Sequence, residues 1–584
     1  MSKSRNLALQ LIRAARGQVL RSNVQPNTSH PPLSCFALQK HHFGLIESCA
    51  GATTDTTHSN VSTARVPTPS DFHAHLCNRI RYAQDRVILA SLYIGVGSNA
   101  AKLNTAAYVC KEDELLHALN AAARNPSIKK IQILLDANRA LREVSFTSGK
   151  SAQSHSVASG SETSYSAKAV HSELVPFLQQ RNDACGGVFL FPVNNFQLCS
   201  ILPSPLGEVA GVFHIKAYII DNELILSGAN LSEEYFTNRF DRYMSFTDGG
   251  GGLVDFYAEL CDILCKYAMR YDGSQNENTR ESVLFSSRGD VGRKLQLEES
   301  LVQLFNGERF GNVQSEQNQN VTPPAVAYAI PTFQMPESFL GRPLRFHSDV
   351  TMTRNLLQSA LDHDTSLSVR LSSAYLNLTP SLLSILTKYG KRNKDATTSN
   401  GNVYLLTAGS KSHGFAQKKQ SKQRSGIINK IKDSIPDAFL SLVKQVAESI
   451  IKREGKVLMY ERAGWTFHAK GLWITSNDQQ QQMNVRPVQQ ELIHDSSTVV
   501  STVIGSGNYG ARSEDLDVES NLILVFNDSQ AEKESQDASK IKKLVGAEWN
   551  EMCRHSSELV DTKPAERSEN SVVQVAVALL KKFL

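Results

Sequence analysis

Two short stretches of the chain carry the same chemistry. The first is Phe213-His214-Ile215-Lys216-Ala217-Tyr218-Ile219-Ile220-Asp221, followed by Ser227-Gly228-Ala229-Asn230. The second is Phe467-His468-Ala469-Lys470-Gly471-Leu472-Trp473, followed later by Gly505-Ser506-Gly507-Asn508. In an extended strand, residues i and i+2 face the same way. Each His-x-Lys therefore sets an imidazole beside an ammonium, while Ile215 or Ala469 turns toward the core. A nitrogen nucleophile beside a fixed cation suits attack on a phosphodiester, and a second copy supplies a proton donor. One His-x-Lys is common by chance, and a lone histidine is more often a satisfied core residue. Two copies, each preceded by Phe and followed by a small-residue turn ending in Asn, are not a chance pattern.

The pattern resembles the phospholipase D superfamily, whose signature is His-x-Lys-x4-Asp with a downstream Gly-Ser-x-Asn-like turn. Further blocks resemble one branch of it, the eukaryotic mitochondrial phosphatidylglycerophosphate synthases (CDP-diacylglycerol–glycerol-3-phosphate phosphatidyltransferases). They are Ala90-Ser91-Leu92-Tyr93-Ile94-Gly95, Leu134-Leu135-Asp136, the run Asp221 to Ser232 with Tyr235-Phe236-Thr237-Asn238-Arg239, and His468-Ala469-Lys470-Gly471-Leu472-Trp473. The similarity runs in blocks from about Asp71 to Phe526.

The resemblance implies one active site assembled from both motifs where two lobes meet. One histidine would attack the substrate phosphorus and carry a phosphohistidine. The other would protonate the leaving oxygen and later deprotonate the acceptor. Lys216 and Lys470 would hold the non-bridging oxygens, Asn230 and Asn508 would add neutral donors, and Ser506 would support the second turn. Donors fixed where charge develops are usually a large catalytic term. With two lysines in that place, no metal and no other cofactor is expected. Asp221 completes the signature after Lys216, whereas Thr475 stands at the same place after Lys470. This tilts the nucleophile toward His214. Asp241 and Asp517 follow the two Asn turns and are candidates to fix the far ring nitrogens, with salt bridges to Arg239 or Arg512 as the alternative. Arg139 and Arg142 could take an acceptor's second phosphate or simply lie at the surface. Tyr93 and Tyr375 could line the interface or belong to the core.

The implied reaction is phosphatidyl transfer from CDP-diacylglycerol to sn-glycerol 3-phosphate, releasing CMP, the first committed step toward phosphatidylglycerol and cardiolipin. The motifs alone establish phosphodiester chemistry, so a phospholipase-D-type hydrolase or nuclease using water is the alternative. A non-catalytic scaffold is a third reading, kept alive by Thr475.

The elements that must position these residues read as one α/β pattern written twice. In the first half a helix from Asp71 to Gln84 precedes a strand from Arg86 to Ile94. Helix Lys111 to Ala123 and strand Lys130 to Asp136 follow. In the second half the counterparts are helix Met352 to Leu361, strand Ser368 to Leu376, helix Pro380 to Tyr389 and strand Asn402 to Thr407. The expected fold is therefore two phospholipase-D-like lobes, each a mixed sheet flanked by helices, related by a pseudo-two-fold. The expected domains are a first lobe over 71–275, an inter-lobe connection over 276–340, a second lobe over 341–530 and a C-terminal helical segment over 531–584. Ser145 to Lys168, Gly311 to Pro324 and Asn477 to Ser497 read as insertions, and the glycine run Gly249 to Gly252 as a loop. The third insertion explains why His468 to Asn508 spans 40 positions against 16 from His214 to Asn230; surface loops tolerate such growth.

A chain of 584 residues exceeds a single core, and 41% hydrophobic with 20% charged residues is ordinary for a folded protein. A net charge of +5 does not by itself argue for nucleic acid, and none is expected as a partner. From Lys411 to Lys432 there are seven basic residues and no acid. This is either a solvated loop or a patch for anionic headgroups, where each basic residue contributes about 1 kcal/mol. The nine cysteines are scattered without a Cys-x-x-Cys, so neither a zinc site nor a disulfide framework is indicated. Residues 1–46 contain no acid before Glu47 and several Arg and Ser, the composition of a mitochondrial presequence. Leu7, Ala8, Leu11, Ala15 and Val19 share one helical face, and 47–70 reads as a linker. No run of 18 apolar residues occurs, so the expected location is mitochondrial, peripheral at the inner membrane. The apolar C-terminus is expected to pack on the fold rather than lie in an interface.

Overall fold

In a computed structural model, the described residues are 3–16, 33–44, 66–97, 110–145, 163–181, 186–193, 211–247, 252–273, 291–306, 310, 325–363, 367–389, 402–414, 434–476, 498–527, 532–560 and 571–583. They form two lobes, each built on a mixed sheet flanked by helices. Most of the basic run, the second and third insertions and Gly249 to Gly251 lie outside the described residues.

In the first lobe the sheet runs Met269–Tyr271, Gly186–Phe191, Lys130–Asp136, Arg86–Ser91, Ala217–Ile220, Glu223–Ser227, Tyr243–Thr247 and Phe43–Gly44. The second lobe repeats that order with Ser556–Glu558, Lys456–Tyr460, Val403–Ala408, Ser368–Ser372, Gly471–Ser476, Thr498–Gly505 and Glu519–Phe526. It then adds Ala327–Gln334 and Phe36–Leu38 at the far edge. Strand sense repeats too. Arg86–Ser91 pairs parallel with Lys130–Asp136 and antiparallel with Ala217–Ile220; Ser368–Ser372 pairs parallel with Val403–Ala408 and antiparallel with Gly471–Ser476, so in each lobe the antiparallel partner is the strand that follows the His-x-Lys. Both motifs therefore open a central strand.

The central strands are buried on both faces, which is why they read as apolar runs. Val87, Leu89, Ile131, Ile133 and Leu135 pack into a core beneath helices Pro69–Arg81 and Lys111–Arg124. Their neighbours Ile88, Ala90 and Leu134 point the other way, into a core continuous with the second lobe. Helix Pro69–Arg81 starts two residues before the expected Asp71, and its cap accounts for the start. Thr68 Oγ1 accepts from the Asp71 N–H at 3.2 Å, Asp71 Oδ2 accepts from the Thr68 N–H at 2.9 Å, and Pro69 takes the first turn. The stretch read as the first insertion is partly regular, since helix Ser166–Gln180 begins within it.

The segment read as a presequence and removed is built into both lobes. Helix Lys3–Ala15 packs on helix Asp349–His363, with Leu7, Ala8, Leu11 and Ala15 buried and Arg13 exposed. Phe36–Leu38 pairs with Ala327–Ala329 at the edge of the second sheet, and Phe43–Gly44 with Ser245–Phe246 at the edge of the first. At the other terminus, helix Ser571–Phe583 packs on helix Ile435–Ile451, with Val573 and Ala576 buried. Among the described residues, no helix is long and apolar enough to cross a membrane.

Candidate active site

Each His-x-Lys sits in extended chain just before its strand, and there it pairs with the opposite lobe. His214 N–H donates to Val518 O at 2.8 Å, and Val518 N–H donates to Val212 O at 2.9 Å. Reciprocally, Arg239–Phe240 runs parallel to Thr466–Phe467, with His468 N–H donating to Phe240 O at 2.9 Å. Ile215 and Ala469 are buried, as alternation requires.

This crossing brings each histidine to a carboxylate of the other lobe. His468 Nδ1 lies 2.7 Å from Asp241 Oδ2, and His214 Nδ1 lies 2.9 Å from Glu519 Oε1. A carboxylate only accepts, so each Nδ1 carries a proton and each ring turns Nε2 to the site, as a basic atom when the ring is neutral and as a donor when it is protonated. Asp517 does not take the place expected for it. It accepts from the Val212 N–H at 2.8 Å and from Arg512 Nε at 3.3 Å, thereby holding the backbone beside His214. Glu519 replaces it, and counting shows why: Asp241 follows Asn230 by 11 positions, and Glu519 follows Asn508 by the same 11. The offset, not the residue type, was the usable signal.

The same count exposes Tyr235 and Ser513, each five residues after its Asn. Tyr235 OH lies 3.2 Å from His468 Nε2 and accepts from Asn230 Nδ2 at 3.1 Å. Ser513 Oγ donates to Glu519 Oε1 at 2.7 Å and accepts from the Asn508 N–H at 3.0 Å. Ser506 lies one step behind, exchanging hydrogen bonds with the Ser520 backbone.

Both lysines are buried in the same place. Lys216 Nζ donates to His214 O at 2.6 Å, and Lys470 Nζ is 2.9 Å from His468 Nδ1 and 3.5 Å from Gly228 O. Burial, reinforced by Lys470, holds the Lys216 ammonium well below its ordinary value, while Glu519, Asp241 and Asp517 oppose the shift. Burial, then Lys216 and Lys470, likewise pushes the His214 imidazole well down. Burial pushes the Asp241 carboxyl up to about 6, with Lys470 foremost in opposing it. The cluster is thus a buried set of opposed charges, its two lysines faced by Glu519, Asp241 and Asp517.

Two glycines make the approach possible. A Cβ on Gly228 would lie 2.6 Å from Asp241 Oδ1 and 3.0 Å from Lys470 Nζ, and one on Gly471 would lie 2.0 Å from Arg242 Nη1. Arg242 threads from the first lobe into the second. Its Nη1 donates to Val503 O at 2.8 Å, its Nη2 donates to Glu548 Oε2 at 2.7 Å, and its guanidinium lies 4.1 Å over the Trp473 ring. The strand carrying Lys470 is thereby fixed from the opposite lobe.

Asp221, counted with the catalytic set, stands apart from it. Its φ of 50° closes the tight turn between Ala217–Ile220 and Glu223–Ser227, and its carboxylate accepts from the N–H groups of Gln84, Asp85 and Arg86. Thr475 lies inside its strand, paired with Ser368 and Val499, and 21 residues separate the end of that strand at Ser476 from the start of the next at Thr498, where two separate the strands around Asp221. The missing acid is therefore a missing turn cap, and it gives no ground for ranking the histidines.

No protein-family model matches the chain. It is 27% identical over 484 residues to "CDP-diacylglycerol--glycerol-3-phosphate 3-phosphatidyltransferase, mitochondrial" of Gallus gallus, covering 78% of this chain and 73% of the relative. The Homo sapiens protein of that name is 26% identical over 530 residues, covering 87% and 81%. The corresponding transferase of Saccharomyces pastorianus is 26% identical over 546 residues, covering 89% and 87%. The chain is a homologue of these phosphatidyltransferases. Among solved structures, the phosphatidylserine synthase of Haemophilus influenzae superposes with a TM-score of 0.59 at 16% identity, covering 98% of this chain and 97% of the other, so the two share a fold. The fold class expected from the sequence, two α/β lobes with mixed sheets flanked by helices, is the one found.

Proposed function

We propose that this homologue transfers the phosphatidyl group of CDP-diacylglycerol to sn-glycerol 3-phosphate, giving phosphatidylglycerophosphate and CMP. The observation that carries the reading is the reciprocal anchoring of the two motif histidines by carboxylates of opposite lobes, around two buried lysines. The names of relatives matched over most of their length supply the substrates.

In the first step Nε2 of one histidine attacks the phosphatidyl phosphorus. The bond from that phosphorus to the CMP oxygen breaks, and the second histidine gives its proton to that oxygen. In the second step the now neutral second histidine takes the proton from a glycerol 3-phosphate hydroxyl, whose oxygen attacks phosphorus and breaks the P–N bond. Lys216 and Lys470 hold the non-bridging oxygens throughout, with Asn230 and Asn508 as neutral donors, so charge is met by groups already in place. Asp241 and Glu519 keep the rings in the required tautomer.

On this reading the enzyme is mitochondrial, as the names of the chicken and human relatives support. We place it peripherally on the inner membrane, with anionic headgroups as its contact. The test is CMP release from CDP-diacylglycerol in mixed micelles with and without glycerol 3-phosphate. A transferase releases CMP at an appreciable rate only with the acceptor and forms phosphatidylglycerophosphate. Equal release without it, with phosphatidic acid as product, would establish a hydrolase instead.

A further inference from the structure

Around the Asn turns both halves carry an ion pair at the same two offsets, but with its charges exchanged: Glu234 with Arg239 in the first, Arg512 with Asp517 in the second. Nine residues after Asn508 stands Asp517, an anion; nine residues after Asn230 stands Arg239, a cation. Asp517 is turned into the protein, onto the Val212 N–H and Arg512. Arg239 is instead seated on the ring of Tyr235, its guanidinium carbon 4.6 Å from the centroid. The hydroxyl of that same ring touches His468 Nε2. A cation thus lies one aromatic ring beyond one reacting histidine, and an anion beside the other.

We propose that Arg239 binds the acceptor's own phosphate, so that glycerol 3-phosphate enters on the His468 side of the site. This rests on the transferase reading above, and it says which residues choose the acceptor. The reaction brings in three phosphates, the two of the donor's diphosphate and the acceptor's own, and the two lysines serve the one that reacts. The acceptor's own must sit a glycerol length away from the attacked phosphorus, which is the scale of one tyrosine ring. Arg239 is well placed to receive it. Its side chain is 16% exposed, so the charge is partly desolvated but reachable. Nε donates to Thr466 Oγ1 at 3.0 Å and Nη2 pairs with Glu234 Oε2 at 2.5 Å. The guanidinium also hydrogen-bonds the Tyr235 side chain, and its five donors in a planar fork are more than these three contacts use. Glu234 is 57% exposed, so it is a rim carboxylate that an incoming phosphate can displace. Tyr93 and Tyr375 lie close enough to act on the ionisation of Tyr235, and Arg139 stacks 4.9 Å over Tyr93, so the surrounding wall is aromatic and basic.

The placement also divides the histidines. An acceptor held beside His468 has its hydroxyl deprotonated there, which leaves His214 as the nucleophile. Burial, then Lys470 and Arg239, pushes the His468 imidazole well down.

The experiment compares glycerol 3-phosphate with glycerol, which lacks the phosphate, as acceptors for the full chain with saturating CDP-diacylglycerol. In Arg239→Gln the KM for glycerol 3-phosphate should rise about 10- to 100-fold, as for loss of a charge-assisted hydrogen bond. The KM for CDP-diacylglycerol should stay within about two-fold and the preference over glycerol should collapse. Arg239→Lys should restore part of that preference. Because Arg239 also ties the two lobes together, Glu234→Gln gives an independent reading from an exposed position. Freed of its rim carboxylate, the guanidinium should bind the acceptor more tightly and lower its KM roughly two- to five-fold. An unchanged preference in Arg239→Gln, or an unchanged KM in Glu234→Gln, would overturn the assignment while leaving the transferase intact. Absence of acceptor-dependent CMP release in the wild type would overturn the transferase reading, and this assignment with it.

Discussion

His468 is held by a residue of the opposite lobe: its Nδ1 lies 2.7 Å from Oδ2 of Asp241, which in turn accepts from the Arg242 N–H at 2.8 Å. His214 and Glu519 repeat the arrangement in reverse. Neither lobe can therefore orient its own histidine, and the site exists only when the two are docked.

The first prediction follows from that exchange. Asp241→Asn and Glu519→Gln should each lower kcat by roughly 10²- to 10⁴-fold, the scale of misplaced acid–base function, with little change in KM. Asp517→Asn should leave kcat within roughly ten-fold and instead cost about 1–3 kcal/mol of stability through its buried backbone contact. Steady-state kinetics with thermal unfolding on the three variants checks this. A larger kcat loss in Asp517→Asn than in Glu519→Gln would reverse the assignment.

Much of the site and fold was legible in the sequence because it lies in short, local patterns. The His-x-Lys pairs, the Asn turns and the apolar runs of the central strands needed only alternation to read. Glu519 was missed because residue type favoured Asp517, although the 11-residue spacing from Asn508 pointed past it. The role of Asp221 was misplaced because a signature does not say which of its members reacts. Arg242 and Glu548 are 306 positions apart, and no local pattern couples them. The N-terminal helix shows a different difficulty: an acid-free amphipathic helix suits import and suits packing on Asp349–His363 equally well.

Removing residues 1–46 should therefore destabilise the enzyme. Leu7, Leu11, Ile12, Leu33, Phe36 and Leu38 are buried, and fully burying each such side chain is worth about 1.5–3 kcal/mol. Both sheets would also lose an edge strand. N-terminal sequencing of protein purified from mitochondria is expected to find a start upstream of Leu33, and the truncated chain should unfold at a lower temperature than the full one. A mature protein beginning near residue 47 with undiminished stability would contradict this.

Gly228→Ala should abolish most activity without unfolding the chain, because its Cβ would drive Asp241 and Lys470 apart. Kinetics and circular dichroism on the same preparation separate the two effects. Near-normal turnover would mean that the spacing of these charges is not critical.

The acid limb of the pH profile should report Asp241. Its pKa is raised to about 6 by burial, so it takes up a proton as pH falls through that value and ceases to accept from His468 Nδ1. Log kcat/KM is expected to be flat between pH 7 and 8 and to fall below about 6, and the inflection should vanish in Asp241→Asn. An inflection that persists in that variant would belong to another group.

The central claim, two histidines sharing one phosphatidyl transfer, is tested most directly by trapping the intermediate. CDP-diacylglycerol labelled at its phosphatidyl phosphorus, mixed with enzyme in the absence of glycerol 3-phosphate, should leave an acid-labile label on the peptide bearing His214. That label should be chased into phosphatidylglycerophosphate when the acceptor is added, and should be absent in His214→Ala. CMP release that requires both substrates together, with no protein-bound label at any time of quenching, would contradict the account.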